Sequence, residues 1–221
     1  MSDILGFYIG NYHTWTDWKL YLNGPASISL PIPQTNYVKV PGKDGYLDLS
    51  TALTGEVTYE TREFSASLMS MASPEEWPAL YSKILNAIHG QRMKIILDED
   101  PDYYYSGRFA VESPAYAGDV WNFSITGVLY PYKLKVDETE ITESMTTTDI
   151  SITLENDRMP VVPEITVSTD TTLTWGSNTY AVSAGTHKIL DIRLKEGLNT
   201  LNAKTSSGTG SITITYQEGS L

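Results

Sequence analysis

Two stretches in the second half of the chain show a strict alternation of side chains: Ile150-Ser151-Ile152-Thr153-Leu154 and Ile212-Thr213-Ile214-Thr215-Tyr216. In both, every second residue is apolar and the residues between carry hydroxyl groups. A strand points successive side chains to opposite faces of its sheet, so this pattern is typical of strands with one face in a core and the other in water. The region is therefore predicted to be β.

The composition of the chain changes just after Tyr132. Of the 24 Phe, Trp and Tyr residues, 21 lie in the first 132 positions, whereas Thr supplies 18 of the last 89 residues. We therefore expect two domains, residues 1–132 and residues 133–221. The acidic, Thr-rich stretch 133–148 is expected to lead into the second domain. Its seven predicted strands form a β-sandwich and span residues 150–154, 164–167, 173–175, 179–182, 187–192, 199–203 and 211–217.

One helix is predicted in the first domain, over residues 74–89. Ser73-Pro74-Glu75-Glu76 has the form of a capping box, with a serine cap and a glutamate three positions later. Apolar residues then recur at helical spacing up to Gly90, which suits the left-handed conformation that ends a helix. Pro78 lacks a backbone N–H, so the first turn is expected to be irregular. The remainder of this domain is predicted to be mainly strands.

The densest group of charges is Asp98-Glu99-Asp100-Pro101-Asp102, between predicted strands 93–97 and 103–111. Asp and Pro favour turns, so we predict a hairpin with an acidic tip. A calcium loop or a glycosidase acid pair needs carboxylates that converge on one point. These carboxylates are consecutive on a turn, so we expect them to point into water and to form neither kind of site.

The composition also argues against several classes of function. The chain has no cysteine, and its three histidines, His13, His89 and His187, lie far apart, so we predict no metal site. No G-x-S-x-G motif is present, and we predict neither enzymatic activity nor a cofactor. The net charge of −12 disfavours specific nucleic-acid binding. Without a long apolar run or a basic leader, we expect no membrane insertion and no secretion by a signal peptide.

Residues 30–59 contain several prolines and glycines and little periodicity. The loop Val40-Pro41-Gly42-Lys43-Asp44-Gly45-Tyr46-Leu47-Asp48 has no Walker spacing and no helix after it, so it is not expected to bind phosphate. We predict an extended arm with a reverse turn that needs a partner surface. The candidate subunit-contact residues are Pro41, Gly42, Asp44, Gly45, Tyr46 and Asp48.

Trp175 is the single tryptophan of the second domain. Packing against the core is one interpretation, because a large ring buries much apolar area. The other is an exposed ring that stacks on a sugar, as a lone tryptophan in a β-sandwich can do. Trp175 is therefore kept as a weak sugar-contact candidate.

Several segments follow one another in a specific order along nearly the whole chain: Asp17-Trp18 in an aromatic-rich opening, residues 40–49, Tyr59-Glu60-Thr61-Arg62, His89-Gly90 at the helix end, residues 98–108, Tyr130-Pro131-Tyr132, and residues 212–219. This order resembles that of the distal tail proteins of long-tailed phages and prophages of Gram-positive bacteria. The resemblance implies a β-rich N-terminal domain with one helix and a projecting arm, and a C-terminal galectin-like β-sandwich.

The resemblance also implies a function. Family members are structural virion proteins of the tail tip, or baseplate, made in the cytoplasm of the bacterial host. Six copies form a ring that joins the tail tube to the tip and lets DNA pass. The implied partners are the tail tube protein, the tape-measure protein, a tail-associated lysin or fibre hub, and a receptor-binding protein. No catalytic residue is carried over from the family.

Two other functions stay open at the level of sequence. A carbohydrate-binding module that attaches the virion to cell-wall glycans would need exposed aromatic rings flanked by polar groups on the second domain. A glycan-cleaving enzyme would need a cleft with two paired acids.

Overall fold

The computed structural model describes residues 5–52, 55–117 and 120–221. The parts of the predictions that fall on residues 1–4, 53–54 and 118–119 lie outside this range. The chain divides into two compact units, the first ending at Lys133 and the second beginning at Leu134. The mainly β fold is confirmed, since strands greatly outnumber the two described helices. No helix within the described ranges is long and apolar enough to cross a membrane.

The first unit is built on one antiparallel sheet. The strands follow the spatial order β2-β1-β8-β9-β11-β7-β3, with β10 paired to β11 and β4 paired to β7. A separate two-stranded sheet is formed by β5 and β6. The elements are β1 Phe7–Ile9, β2 Tyr12–His13, α1 Thr14–Trp18, β3 Leu20–Leu22, β4 Ser27–Ile28, β5 Tyr37–Val38, β6 Leu47–Asp48, β7 Arg62–Ser70, α2 Trp77–Ile88, β8 Arg92–Leu97, β9 Tyr103–Val111, β10 Ala115–Ala117 and β11 Val120–Leu129.

The core of this unit lies between the sheet and α2. Alternate residues of β7 are buried, which is the pattern of a strand with one face on a core. The Phe64 ring meets Phe7 and Phe109 edge-on, with ring centroids 5.5 and 5.7 Å apart. From α2, Ile84 and Ile88 are fully buried in the same core. The aromatic content of the first 132 residues is therefore partly explained by this core.

Helix α2 is shorter than predicted and begins at Trp77. The capping-box contacts form nonetheless, because the Glu76 N–H lies 3.3 Å from Ser73 Oγ and the Ser73 N–H lies 3.2 Å from Glu76 Oε2. Residues 74–76 form a turn ahead of the helix. The missing N–H of Pro78 accounts for this irregular start. At the other end, Gly90 has a φ of +75°, as its place after the helix predicted.

A second helix, α1, was not predicted. It has only five residues, too few to show a helical period. Its cap is the His13 side chain, whose Nδ1 accepts hydrogen bonds from the N–H groups of Trp15 and Thr16 at 3.3 and 3.2 Å. Histidine is not among the residues usually preferred at this position, so the sequence offered no signal for the helix.

The second unit consists of two four-stranded sheets, ordered β13-β20-β15-β18 and β14-β19-β16-β17. Residues of both sheets enclose one apolar core that includes Leu154, Leu201 and Ile214. This is the arrangement of a β-sandwich. The strands of the two sheets are β13 Thr139–Met145, β14 Ile150–Asn156, β15 Glu164–Val167, β16 Thr171–Trp175, β17 Asn178–Val182, β18 Gly185–His187, β19 Gly197–Thr205 and β20 Gly210–Tyr216. Two short strands, β12 Lys133–Lys135 and β21 Gly219–Ser220, pair with each other outside these sheets.

Two predictions for this region were wrong. The stretch 133–148 is not merely a lead-in, because it contains β12 and β13, and β13 pairs with β20 over seven residues. The predicted strand 187–192 is also absent, since β18 ends at His187 and the Ile192 N–H donates to the Ile189 carbonyl at 3.0 Å in a turn. Ile192 nevertheless fills the core from this loop.

Candidate subunit interface

Residues 30–59, which we call the arm, leave the sheet as a hairpin. Near its base, Pro33 and Tyr59 form an isolated antiparallel bridge. The N–H of Gln34 donates to the carbonyl of Thr58 at 2.8 Å. The two legs of the arm therefore run side by side near its base, and its described residues contain the expected reverse turn between two short paired segments.

The outer part of the arm is held by β5, β6 and one serine. The N–H of Asn36 donates to Ser50 Oγ at 2.8 Å, and the Leu49 N–H donates to the Asn36 carbonyl at 2.8 Å. Asp48 accepts hydrogen bonds from the hydroxyl and the N–H of Ser50. These bonds hold the pKa of Asp48 below its ordinary value, with the hydroxyl bond as the larger cause. Asp48 thus shapes the arm.

The tip of the arm carries the other predicted contact residues. Gly42 and Gly45 have φ values of +78° and +76°, which glycine adopts without strain, so the chain reverses here. Among the described residues other than its chain neighbours, none comes within 4 Å of where a Cβ on either glycine would stand. The hairpin brings the whole predicted set together, and every member is exposed: Pro41, Gly42, Asp44, Gly45, Tyr46 and Asp48.

Large apolar side chains are exposed along the arm, and only one of them, Tyr46, is among the predicted contact residues. Leu30 is 82% exposed and Tyr46 is 68% exposed. Exposed apolar groups gathered in one place mark surfaces that bind partners. The sequence feature that could have identified the other exposed residues is the lack of strand or helix periodicity in the arm, because such periodicity is what places apolar residues on a buried face. Among the described residues of the arm, the exposed set is Leu30, Ile32, Tyr37, Val38, Tyr46, Leu47 and Leu49.

The acidic turn 98–102 departs from its prediction. Asp98 does not point freely into water, because its Oδ2 accepts a hydrogen bond from the Gly6 N–H at 2.7 Å and lies 3.1 Å from Nε2 of His13. Since Nδ1 of His13 accepts the cap bonds of α1, its proton sits on Nε2 and points at Asp98. Asp100 forms an ion pair with Lys133 at 2.7 Å. In the described parts of the chain, no group of three or more His, Asp or Glu residues is placed to hold a metal ion.

Trp175 lies in the second unit, whereas the arm belongs to the first. Its ring is half-buried and packs against the core of the sandwich. Packing against this core accounts for part of the ring, and the sugar contact of Trp175 stays a prediction.

No family model matches this sequence, and no curated protein matches it. Among solved structures, the chain is similar to the SPP1 Dit (gp 19.1) protein, described as a paradigm of the hub adsorption apparatus of phages that infect Gram-positive bacteria. The similarity covers 97% of this chain and 99% of that chain, with a TM-score of 0.64 and 15% sequence identity. The resemblance to distal tail proteins is therefore confirmed at the level of structure, and this chain has the fold of the SPP1 Dit protein over nearly its entire length.

Proposed function

We propose that this chain is a structural hub protein of a phage tail tip. In this proposal six copies close into a ring that connects the tail tube to the lysin, fibre and adhesion apparatus. DNA passes through the ring during infection. The chain performs no chemistry of its own and needs no cofactor. Its place is the tail tip of a virion assembled in a bacterial host.

The observation that carries the proposal is the arm, whose described residues include seven exposed apolar side chains. Ordering a backbone costs about 1 to 2 kcal/mol per residue, and a projecting hairpin has few contacts within its own subunit to offset that cost. A neighbouring copy that covers the arm supplies the missing burial. Closed cyclic symmetry then satisfies every copy in the same way, leaving no arm uncovered.

Two further observations support the hub. The fold matches that of a protein described as part of a hub adsorption apparatus, across both units rather than one. The net charge of −12 suits a conduit that DNA must leave without adhering, because like charges repel. The number six and the named partners come from the family resemblance, in which the second unit serves as the docking scaffold for adhesion proteins.

The proposal is tested by imaging the tail tip, or the concentrated protein, by electron microscopy, with and without the arm. Residues 35–50 are replaced by a short Gly-Ser turn that preserves the base of the hairpin. We expect closed rings for the wild type and none for the shortened arm. A shortened variant that assembles as well as the wild type, or a tail tip in which this chain forms no closed ring, contradicts the proposal.

The carbohydrate-binding alternative makes a different prediction. It requires that Trp175 be available to a sugar, whereas the ring packs against the core of its own unit. We therefore expect residues 133–221 to bind no cell-wall glycan tightly on a glycan array. Micromolar binding that Trp175→Ala abolishes without unfolding the fragment would replace the scaffold role by this one.

A further inference from the structure

The base of the arm is fastened to Pro131–Lys133, the last residues of the first unit, which we call the exit segment. Arg62 follows closely after the arm, and its Nε donates a buried hydrogen bond to the Pro131 carbonyl at 2.7 Å. The ring of Tyr59, on the arm itself, meets the ring of Tyr132 edge-on with centroids 5.8 Å apart. Two contacts of different chemistry therefore join the arm's second leg to the exit segment.

Arg62 is buried, with only 4% of its surface exposed. Its guanidinium lies over the Tyr105 ring at 5.6 Å, and its Nη2 has no hydrogen-bond partner among the described residues. Burial lowers the pKa of Arg62, yet a guanidinium keeps its charge in proteins. A buried charge is costly unless its partners stay in place, so moving the Pro131 carbonyl away from Arg62 would be unfavourable.

The exit segment is held on a second side by the sheet. Lys133 pairs with Asp100 at 2.7 Å, and its ammonium lies 4.1 Å from the centre of the Tyr103 ring. Asp100 lies in the turn after β8, and Tyr103 is the first residue of β9, a strand of the main sheet. Within the first unit, the sheet that holds the exit segment is fixed by its core, whereas the arm carries exposed apolar side chains that a partner can cover.

We infer that Arg62 and Tyr59 form a mechanical link through which capture of the arm by a neighbouring copy immobilises the exit segment. The second unit begins at the next residue, Leu134, so assembly would stiffen the point from which that unit starts. The capture step rests on the proposed function, whereas the link is a property of the isolated chain. Such coupling is reciprocal, so loosening the exit segment must also loosen the base of the arm.

Hydrogen exchange of the isolated full-length protein tests the link. In Arg62→Met, we expect exchange about tenfold faster at the base of the arm, reported by the Gln34 and Glu60 amides, and over residues 130–135. Arg108→Met is the matched control, because Arg108 also donates to a backbone carbonyl, that of Gly90, but from the exposed face of the sheet. It should leave both regions unchanged.

A second variant covers the case in which Arg62→Met fails to fold. Tyr59→Leu removes the ring contact with Tyr132, and it is a milder change because Tyr59 is only half-buried. It should accelerate hydrogen exchange over residues 130–135 by about threefold or more. Unchanged exchange there, while the arm base loosens, overturns the link.

Comparison of assembled and dispersed wild-type protein tests the capture step. We expect slower exchange over residues 130–135 on assembly, and a smaller slowing in Tyr59→Leu. Equal slowing in both proteins overturns the inference that the link transmits capture. If no assembly forms, the proposed function fails, but the variants of the isolated chain still decide the link.

Discussion

The two units of the chain differ in what they expose to water. Among the described residues, the first unit exposes thirteen large apolar side chains, seven of them on the arm, whereas the second exposes four. Those four are Val136, Leu190, Leu198 and Leu221. The difference indicates that the second unit buries most of its apolar surface within itself, whereas the first leaves a larger share of its own exposed.

The outer face of one sheet of the second unit shows how this self-sufficiency is achieved. Threonines occupy matching positions on all four strands, and their hydroxyls pair at 2.9 Å between Thr142 and Thr213 and between Thr166 and Thr186. Hydroxyl groups can bond to one another and to water, while β-branched side chains suit an extended backbone. Part of the high threonine content of this half therefore lies on a solvated sheet face.

Making the arm polar should have the largest effect, because it removes the main difference in exposed apolar surface between the two units. In Ile32→Ser/Tyr37→Ser/Tyr46→Ser, we expect complete loss of assembly by sedimentation velocity, because the apolar surface that neighbours cover is removed. The melting temperature should barely change, since exposed substitutions each alter stability by about 0.5 kcal/mol or less. Leu190→Ser/Leu198→Ser, on the second unit, is the matched control and should assemble normally. Equal loss in both variants would remove the distinction between the units.

The independence of the second unit is tested with residues 133–221 expressed alone. We expect cooperative unfolding in denaturant, because the core around Leu154 is supplied by this unit alone. Leu154→Ala should lower the free energy of unfolding by about 2 to 5 kcal/mol, in the fragment and in the full chain alike. Thr153→Ala, on the outer face of the same strand, should cost much less. A fragment without a cooperative transition would refute its independence.

Within the first unit, Asp98 should matter more than its acidic neighbours. Asp98→Asn weakens the bonds to the Gly6 N–H and to Nε2 of His13, and we expect a loss of about 1 to 3 kcal/mol in denaturant unfolding. Glu99→Gln is the control, an exposed neighbour for which the change should stay within about 0.5 kcal/mol. Equal effects would restore the sequence-based view of a uniformly solvated turn.

The smallest effect concerns Tyr216, whose hydroxyl donates to the Glu155 carbonyl. Burial, with smaller contributions from Glu218 and Glu155, raises the pKa of Tyr216 from 10.0 to about 12. The folded state holds this proton more tightly, so the stability it supplies is complete below pH 10 and is lost as the pH rises towards 12. Tyr216→Phe should cost about 1 kcal/mol at neutral pH and flatten the alkaline decline of denaturation midpoints. An unchanged alkaline profile would contradict the assignment.

Elements with a local signature were predictable from sequence. The alternation and flanking turns placed β9 at Tyr103–Val111 and β15 at Glu164–Val167, and both occur at those residues. Helix α2 was also predicted, with an error at its start. Strand β13 was missed because only Ile141 and Met145 of its seven residues are apolar. Its pairing with β20, some seventy positions later, supplies what its own sequence lacks.

The candidate interface likewise has features that were predictable from sequence and features that were not. Proline, glycine and the lack of a period predicted an arm that needs a partner, because those features act on the backbone locally. They could not show which segments of the arm pair with each other, that Asp48 bonds to Ser50, or that Arg62 is buried and bonds to Pro131. Each of these depends on which distant segments meet.

Local patterns in the sequence were enough to predict the β class, the helix with its cap and terminator, the arm and the polar character of the second unit. These follow from side-chain periods and turn chemistry within a few residues. Only the tertiary structure decided which apolar side chains stay exposed on the arm and which acidic groups are engaged. Burial and charge pairing depend on contacts between segments that are far apart in sequence, such as Asp98 and His13, which are 85 positions apart. A pattern within a few residues therefore cannot predict them.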